Sequence, residues 1–402
     1  MAKRVYTITP VTGVHIGTGE ELSPLDYKVA PKVGDVDLKK PVYWKFSSDR
    51  ILQRLCKNEK AMSAFERASV DGNMKELYDF FQDNCAHIDD TDYPCEITKD
   101  FLKLYYENQK KDPHQNAAKV LQMYHTEGTP WLYPVIPGSS IKGSIRTALL
   151  NMYLAEISKK DSKLYKLMLD DFNREKNMSD NLTQFEARMQ KKLFDYSDAK
   201  NDPLRAVSFS DCLFKVGGTQ LVGRLDMVDF NEQTGSLESK GAQIQAEVLK
   251  GELLGGKETS KLYITINEML QKTPFSMHHE EQPKRIKTIN FDEIHKSCND
   301  FYWNEFLDEY DYFYRDVNDG TEILIVELKK RLEAAVNTPG QFIIRVGRWS
   351  QVEFVTFEDK FRKPLTKKDK YGKPLGYGET RTLFNFDKKY APMGWCILEA
   401  KE

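Results

Sequence analysis

The chain has 402 residues, 40% of them hydrophobic, and a formal net charge of −2. That supports the cores of two or three domains and excludes a polycation that coats nucleic acid with its whole surface, so any nucleic-acid face must gather Lys and Arg locally. The six cysteines, Cys56, Cys85, Cys95, Cys212, Cys298 and Cys396, form no C-x-x-C pair and are too scattered for a disulfide framework. No apolar run approaches a membrane span, and a reducing cytoplasm is the expected compartment.

Residues 4–9 alternate apolar and polar side chains and predict a strand. It runs into PVTGVHIGTGEELSPLDYKV, a loop with Gly13, Gly17 and Gly19. The G-x-G there lacks the third glycine, the helix and the later acidic residue of a dinucleotide site. Short strand pieces are expected around Tyr43 and Trp44. From 48 to about 124 the apolar spacing turns helical, and the block reads as an inserted helical subdomain. Cys85, His87 and Cys95 lie close within it, but no fourth zinc ligand stands near.

The most informative stretch is 134–156, PVIPGSSIKGSIRTALLNMYLAE. A glycine- and serine-bearing loop feeds a helix, with Ser139 or Ser140 as the expected N-cap. Ile141, Ile145, Ala148, Leu149 and Met152 make one apolar face. Lys142 and Arg146, four apart, share another face near the helix start, where unpaired amides and the positive end of the dipole favour an anion. Gly138 and Gly143 leave room for a backbone or a phosphate. These residue types suit a polyphosphate chain better than a small organic anion.

Residues 158–201 predict more helix. Residues 205–215 predict a strand whose alternation breaks at Asp211 and Cys212, and 243–267 hold two strand-like runs that read as a hairpin. Residues 290–337 are helical, with Tyr302, Phe306, Tyr310 and Phe313 on one stripe that is expected in the core. Seven acidic residues and one Arg lie between 301 and 322, so the acidic side of this helix is expected to face water or another protein. GQFIIRVGRWSQ, 340–351, reads as a strand into a glycine turn. Between 359 and 373 there are seven basic and two acidic residues, followed by Gly376 and Gly378, with Tyr371 and Tyr377 interleaved. Cations, flexible backbone and aromatics in that mixture suit single-stranded nucleic acid. GWCILEA closes as a strand.

Without the insert, the order is close to β-α-β-β-α-β, the ferredoxin-like plan shared by RNA-recognition domains. The aromatic consensus of those domains is absent from the strands, so the loops are the expected reading surface. Here the sequence resembles a known family. V-H-I-G-T-G, I-P-G-S-S-I-K-G-S-I-R-T-A-L, V-S-F-S-D and G-Y-G-E-T-R look like the CRISPR-associated RAMP proteins. The V-H-I-G-T-G opening, the insert, I-R-V-G-R-W-S-Q and the late G-W are most similar to the fifth subunits of type III-A Csm effector complexes.

The resemblance implies an α+β, ferredoxin-like (RRM-like) RAMP fold in two modules, 1–230 with the helical insert and 231–402 with the glycine-rich loop. It implies a non-catalytic subunit, without cofactor or metal, that caps the filament of backbone RAMP subunits and holds the 3′ part of the CRISPR RNA (crRNA). Its partners would be the crRNA, the backbone and small subunits, and host nucleases that trim the 3′ end. By position it carries RNA contacts onto His15, Gly17, Gly19, Gly138, Ser139, Ser140, Lys142, Gly143, Arg146, Arg345, Arg348, Lys373, Gly376 and Gly378. Phosphate contacts position a strand without reading its bases, which suits a protein that must accept any spacer. One enzymatic alternative stays open, a metal-independent endoribonuclease with His15 as general acid or base and Lys142 or Arg146 stabilising charge. The target-cutting backbone subunits carry a catalytic acid in the loop that holds Asp26 here, but EELSPLDYKV does not clearly match that loop, so catalysis is not carried onto Asp26.

Overall fold

The computed structural model describes residues 1–401 except 71, 73, 110, 112–117, 176–181, 197, 217–218, 232, 242, 273–286, 318–321, 358–360, 362–379 and 388. The opening strand Ala2–Pro10 alternates as expected, with Tyr6 and Ile8 turned inward. It lies in the middle of a five-stranded antiparallel sheet, between Trp395–Lys401 and Ser260–Ile266. Gln341–Arg345 and Val207–Phe209 take the outer positions. Two long helices, Gly138–Lys160 and Phe291–Glu309, pack together on this sheet. Ile141, Ile145, Ala148 and Leu149 of one helix and Ile294, Cys298, Tyr302 and Phe306 of the other share a core with Tyr6, Ile8, Leu262 and Ile264. Each large apolar side chain fully buried there contributes about 1.5–3 kcal/mol relative to exposure. The aromatic stripe is core, as its spacing predicts: Tyr302, Phe306 and Phe313 are buried.

A second, eleven-stranded sheet is organised on Gln220–Asn231, which pairs with Thr380–Phe386 and with Ile244–Leu249. Val120–Met123 and then Gly17–Leu22 continue it to one edge, Lys389–Pro392 and Glu322–Ile323 to the other. Thr91–Ile97 joins Gln220–Asn231 in parallel and carries Val36–Phe46 and Tyr27–Val33. Residue 230 lies inside Gln220–Asn231, and both sheets draw strands from either side of it. Among the described residues no helix is long and apolar enough to cross a membrane.

Two expectations are corrected. The 48–124 block holds the helices Ser48–Leu55, Glu59–Val70, Met74–Asn84 and Lys99–Asn108, but Thr91–Ile97 and Val120–Met123 are strands. Tyr93 and Cys95 turn to the same core, a period-two signal too short to read between helices. The two runs within 243–267 are not a hairpin. Ile244–Leu249 and Ser260–Ile266 belong to different sheets, so the chain crosses between them. The crossing runs against Val11 and Thr12: Leu253 N donates to Val11 O at 3.0 Å. A Cβ on Gly251 would stand 2.5 Å from Thr12 N, so only glycine fits that approach.

Candidate nucleic-acid interface

Three of the segments singled out in sequence meet at one corner, tied by hydrogen bonds to main-chain atoms. Ser144 Oγ, in the first turns of Gly138–Lys160, donates to Arg345 O at 2.9 Å, where Gln341–Arg345 ends. The turn that follows returns to the opening motif, since Arg348 N donates to His15 O at 2.9 Å. Gly347 has φ +87°, and a Cβ there would lie 2.6 Å from His15 O. Trp349 and Gln351 also have positive φ, 65° and 66°. Non-glycine residues in such conformations cost about 1–3 kcal/mol each and persist where their surroundings fix them. Nothing in R-W-S-Q announces that strain. Gly17–Leu22, expected as a loop, is an edge strand with Gly17 to Glu21 exposed, and its register slips between Gly17 and Glu21.

The helix itself starts at Gly138, with Pro137 as N-cap rather than Ser139 or Ser140. Pro137 has no side-chain acceptor, and Asp211 supplies one: its Oδ1 accepts from Gly138 N at 2.7 Å. A protein carboxylate thus already takes one amide of the helix start. Ser139 and Gly143 are exposed and Ser140 half-exposed.

The cations divide. Lys142 is half-buried, and its Nζ donates to Val207 O at 3.2 Å, on the edge strand of the sheet. Burial, and then the charge of Arg146, lowers its pKa. Arg146 pairs with Asp202 at 2.5 Å and lies over the Phe194 ring. Arg345, expected at the RNA, is buried. Its Nη1 pairs with Glu309 at 2.9 Å, its Nε donates to Met393 O at 2.8 Å, and its guanidinium lies 4.3 Å from the Phe354 ring centre. Gln341–Arg345 is covered on both faces, with Phe342 to Arg345 all buried, and a buried, paired guanidinium does not grip a surface strand. Arg348 is exposed, 5.0 Å from the centre of the Trp349 ring. Lys373, Gly376 and Gly378, with nearly all of the basic stretch, lie outside the described residues.

The chain matches the RAMP superfamily over residues 7–371. It is a RAMP protein. No curated protein matches it. Among solved structures, it is similar to a chain of the Csm–crRNA–target RNA ternary complex of a type III-A CRISPR-Cas system, with TM-score 0.58 and 18% identity over 99% of this chain and 100% of that one. It is also similar to T. onnurineus Csm5, with TM-score 0.52 and 16% identity over 97% and 99%. At such identities the likeness is one of fold.

In this RAMP protein His15 is buried. Its Nδ1 donates to Glu247 O at 2.7 Å, and the Trp349 ring lies 4.9 Å away. Burial lowers its pKa to about 4, so the imidazole is neutral at pH 7. Behind it stands a cluster that the sequence did not reveal. Glu247, 0% exposed, accepts from Tyr93 OH at 3.0 Å and from Met123 N at 2.8 Å. Burial raises its carboxyl to about 7 in spite of those bonds. His125 stacks on Tyr93 at 3.9 Å, and burial lowers its pKa to about 4. Only strand pairing brings these groups together. Asp26, the other acid considered for catalysis, closes a turn: its Oδ2 accepts from Ser23 N at 2.8 Å and Ser23 Oγ at 2.9 Å. Among the described residues no group of three or more His, Cys, Asp or Glu could hold a metal ion.

The buried cluster of the RAMP protein carries a pH signature. Native Glu247 keeps its proton to about pH 7 while the unfolded chain loses it near 4.5, so its contribution is full below 4.5 and is lost as pH rises through 7. His15 and His125, held neutral, act oppositely: their contribution is present above 6.5 and lost as pH falls toward 4. Glu247→Gln removes the first effect alone. Its stability relative to wild type should rise by about 3 kcal/mol between pH 4.5 and 7, measured from urea unfolding at several pH values. A difference that does not change with pH would mean that the carboxyl is not held protonated.

Proposed function

We propose that this RAMP protein is a non-catalytic RNA-binding subunit of a type III-A Csm effector complex, working in the cytoplasm. It caps the backbone filament at the crRNA 3′ end, holds that end by its phosphates and supports its maturation by host nucleases. The observation that carries this reading is the corner where His15 to Gly19, the start of Gly138–Lys160 and the 345–351 turn meet. That corner exposes Ser139, Gly143, Arg348 and the Gly17–Gly19 backbone. Whole-length likeness of fold to a chain of a complex that contains crRNA and target RNA, and to a Csm5, supports it.

The same reading takes the five-stranded sheet with its two helices as a ferredoxin-like module. Its order, last strand, first strand, Ser260–Ile266, Val207–Phe209, with a helix inside each half of the chain, supports that plan, with Gln341–Arg345 added at the edge. The eleven-stranded sheet is then the second module, a division in space rather than at residue 230. The burial and low basicity of His15 and the turn-closing role of Asp26 favour binding over cleavage.

The test is the salt dependence of binding to single-stranded RNA. Arg348→Ala should weaken binding and make the slope of log affinity against log salt shallower by about 0.7, the share of one phosphate contact on a single strand. An unchanged slope would count against phosphate contacts at this corner.

A further inference from the structure

Two buried histidines of this chain hold the same tautomer and differ in one respect. His125 donates Nδ1–H to Met123 O, and its Nε2 accepts from Gln220 Nε2, both at 2.7 Å. His15 donates Nδ1–H to Glu247 O, so its Nε2 carries a lone pair, and among the described residues that atom has no partner. His15 is 1% exposed, and a buried acceptor left unmatched is destabilising enough to call for a reason.

The surroundings of Nε2 suggest what meets it. A Cβ on the exposed Gly17 would stand 2.8 Å from Nε2, and among the described residues, apart from His15 and the chain neighbours 16 and 18, the nearest atom to that Cβ is Gly19 N at 3.9 Å. Two glycines therefore border the approach, and a side chain at 17 would close it. The Trp349 ring and the exposed Arg348 guanidinium lie alongside, an aromatic surface and a cation. Both suit a nucleotide.

The missing group must donate a hydrogen bond. In an RNA strand of arbitrary sequence the phosphate oxygens, the ester oxygens and the ring oxygen only accept, and the base edges change from spacer to spacer. The 2′-hydroxyl is the donor that every ribonucleotide repeats and that DNA lacks. We infer that His15 Nε2 accepts a hydrogen bond from a ribose 2′-hydroxyl, so that this corner distinguishes RNA from DNA. The inference rests on the RNA-binding reading above and adds to it the group that is recognised. Nε2 lies behind the Gly17–Gly19 backbone, so the hydroxyl enters as that backbone yields, while the bond to Glu247 O keeps the ring from turning. The depressed basicity of His15 keeps Nε2 an acceptor across the neutral range.

The full-length protein is tested with one single-stranded oligonucleotide of mixed sequence in two forms, carrying 2′-hydroxyls or 2′-fluorines. The fluorinated sugar keeps an RNA-like pucker but cannot donate. Wild type should bind the hydroxyl form about tenfold more tightly, the worth of one hydrogen bond. In His15→Asn, whose amide can still donate to Glu247 O, the preference should fall to near unity. It should fall likewise in Gly17→Ala, which keeps the imidazole and screens Nε2 with a methyl group. Wild type that binds both forms equally overturns the inference and leaves the RNA-binding reading in place. Wild type that binds neither form overturns both. A preference that survives in both variants gives the hydroxyl to another group and removes His15 from the role.

Discussion

Glu309→Ala is expected to cost about 3–5 kcal/mol of folding stability, a large part of the roughly 5–15 kcal/mol that holds a typical protein together. The Glu309 carboxylate is 1% exposed and sits between two arginines, 2.9 Å from Arg345 Nη1 and 2.8 Å from Arg381 Nε. Arg381 also reaches Glu353, at 3.2 Å. Among the described residues two positive and two negative charges meet in this buried group, and removing the carboxylate between the two arginines leaves positive charge where water cannot screen it. The network has a place as well as a strength. Arg345 ends the strand that leads into the strained 346–351 turn, and its Nε bonds Met393 O beside Gly394, whose N–H holds Gly13 O at 2.8 Å. Unfolding in urea gives the number, and a loss below about 1 kcal/mol would show that the four charges are energetically neutral. Replacing both Glu309 and Arg345 by apolar residues of similar volume should restore part of the loss, because the penalty belongs to the unpaired charge rather than to the absent bond.

Gly138→Ala is expected to be the most damaging exchange in the helix start, at about 3 kcal/mol. The new Cβ would stand 2.8 Å from the Phe209 carbonyl carbon and 2.9 Å from Ser210 O, closer still to Phe209 O. All three are backbone atoms, so no side chain can swing aside. Overpacking of this kind costs about 1–3 kcal/mol. Pushing the helix off the strand also strains the Asp211 cap, worth about 1 kcal/mol. Gly143→Ala is the matched comparison. Among the described residues nothing outside its own helix backbone lies within 4 Å of a Cβ there, and a helical glycine exchanged for alanine in open space should gain about 0.5–1 kcal/mol. Thermal and urea unfolding of the two variants should move in opposite directions. If both are benign, Gly138 is not clamped against Phe209 and Ser210.

Gly138 and Gly143 looked alike in the sequence, and their difference explains what could be read there and what could not. Spacing over a few residues identified the apolar face at Ile141, Ile145, Ala148 and Leu149, the strands at both ends of the chain and the buried aromatic stripe, because each signal lies within one element. The partners were not legible. Asp211 caps a helix 73 residues away, Arg345 pairs with Glu309 across 36 residues, and Tyr93 meets Glu247 across 154. The resemblance places RNA contacts at Lys142, Arg146 and Arg345 by position, and a sequence shows their charge but not its counter-charge. Arg146 and Arg345 proved to be ion-paired and Lys142 bonded to a main-chain carbonyl. The supposed hairpin failed for the same reason: alternation within 244–249 and 260–266 announces strands but does not say which strands they join.

The pairing of Ala2–Pro10 with both Ser260–Ile266 and Trp395–Lys401 bears on how a cell makes this protein. Ala2–Pro10 leaves the ribosome well before the strands that flank it in the sheet, which are translated hundreds of codons later. Until then Tyr6 and Ile8 have no layer to enter, and the nascent segment carries unpaired strand edges that invite wrong partners. Pairing across such sequence distance is slow to form. The five-stranded sheet therefore closes late, after the locally wound helices of 48–108 have had time to form.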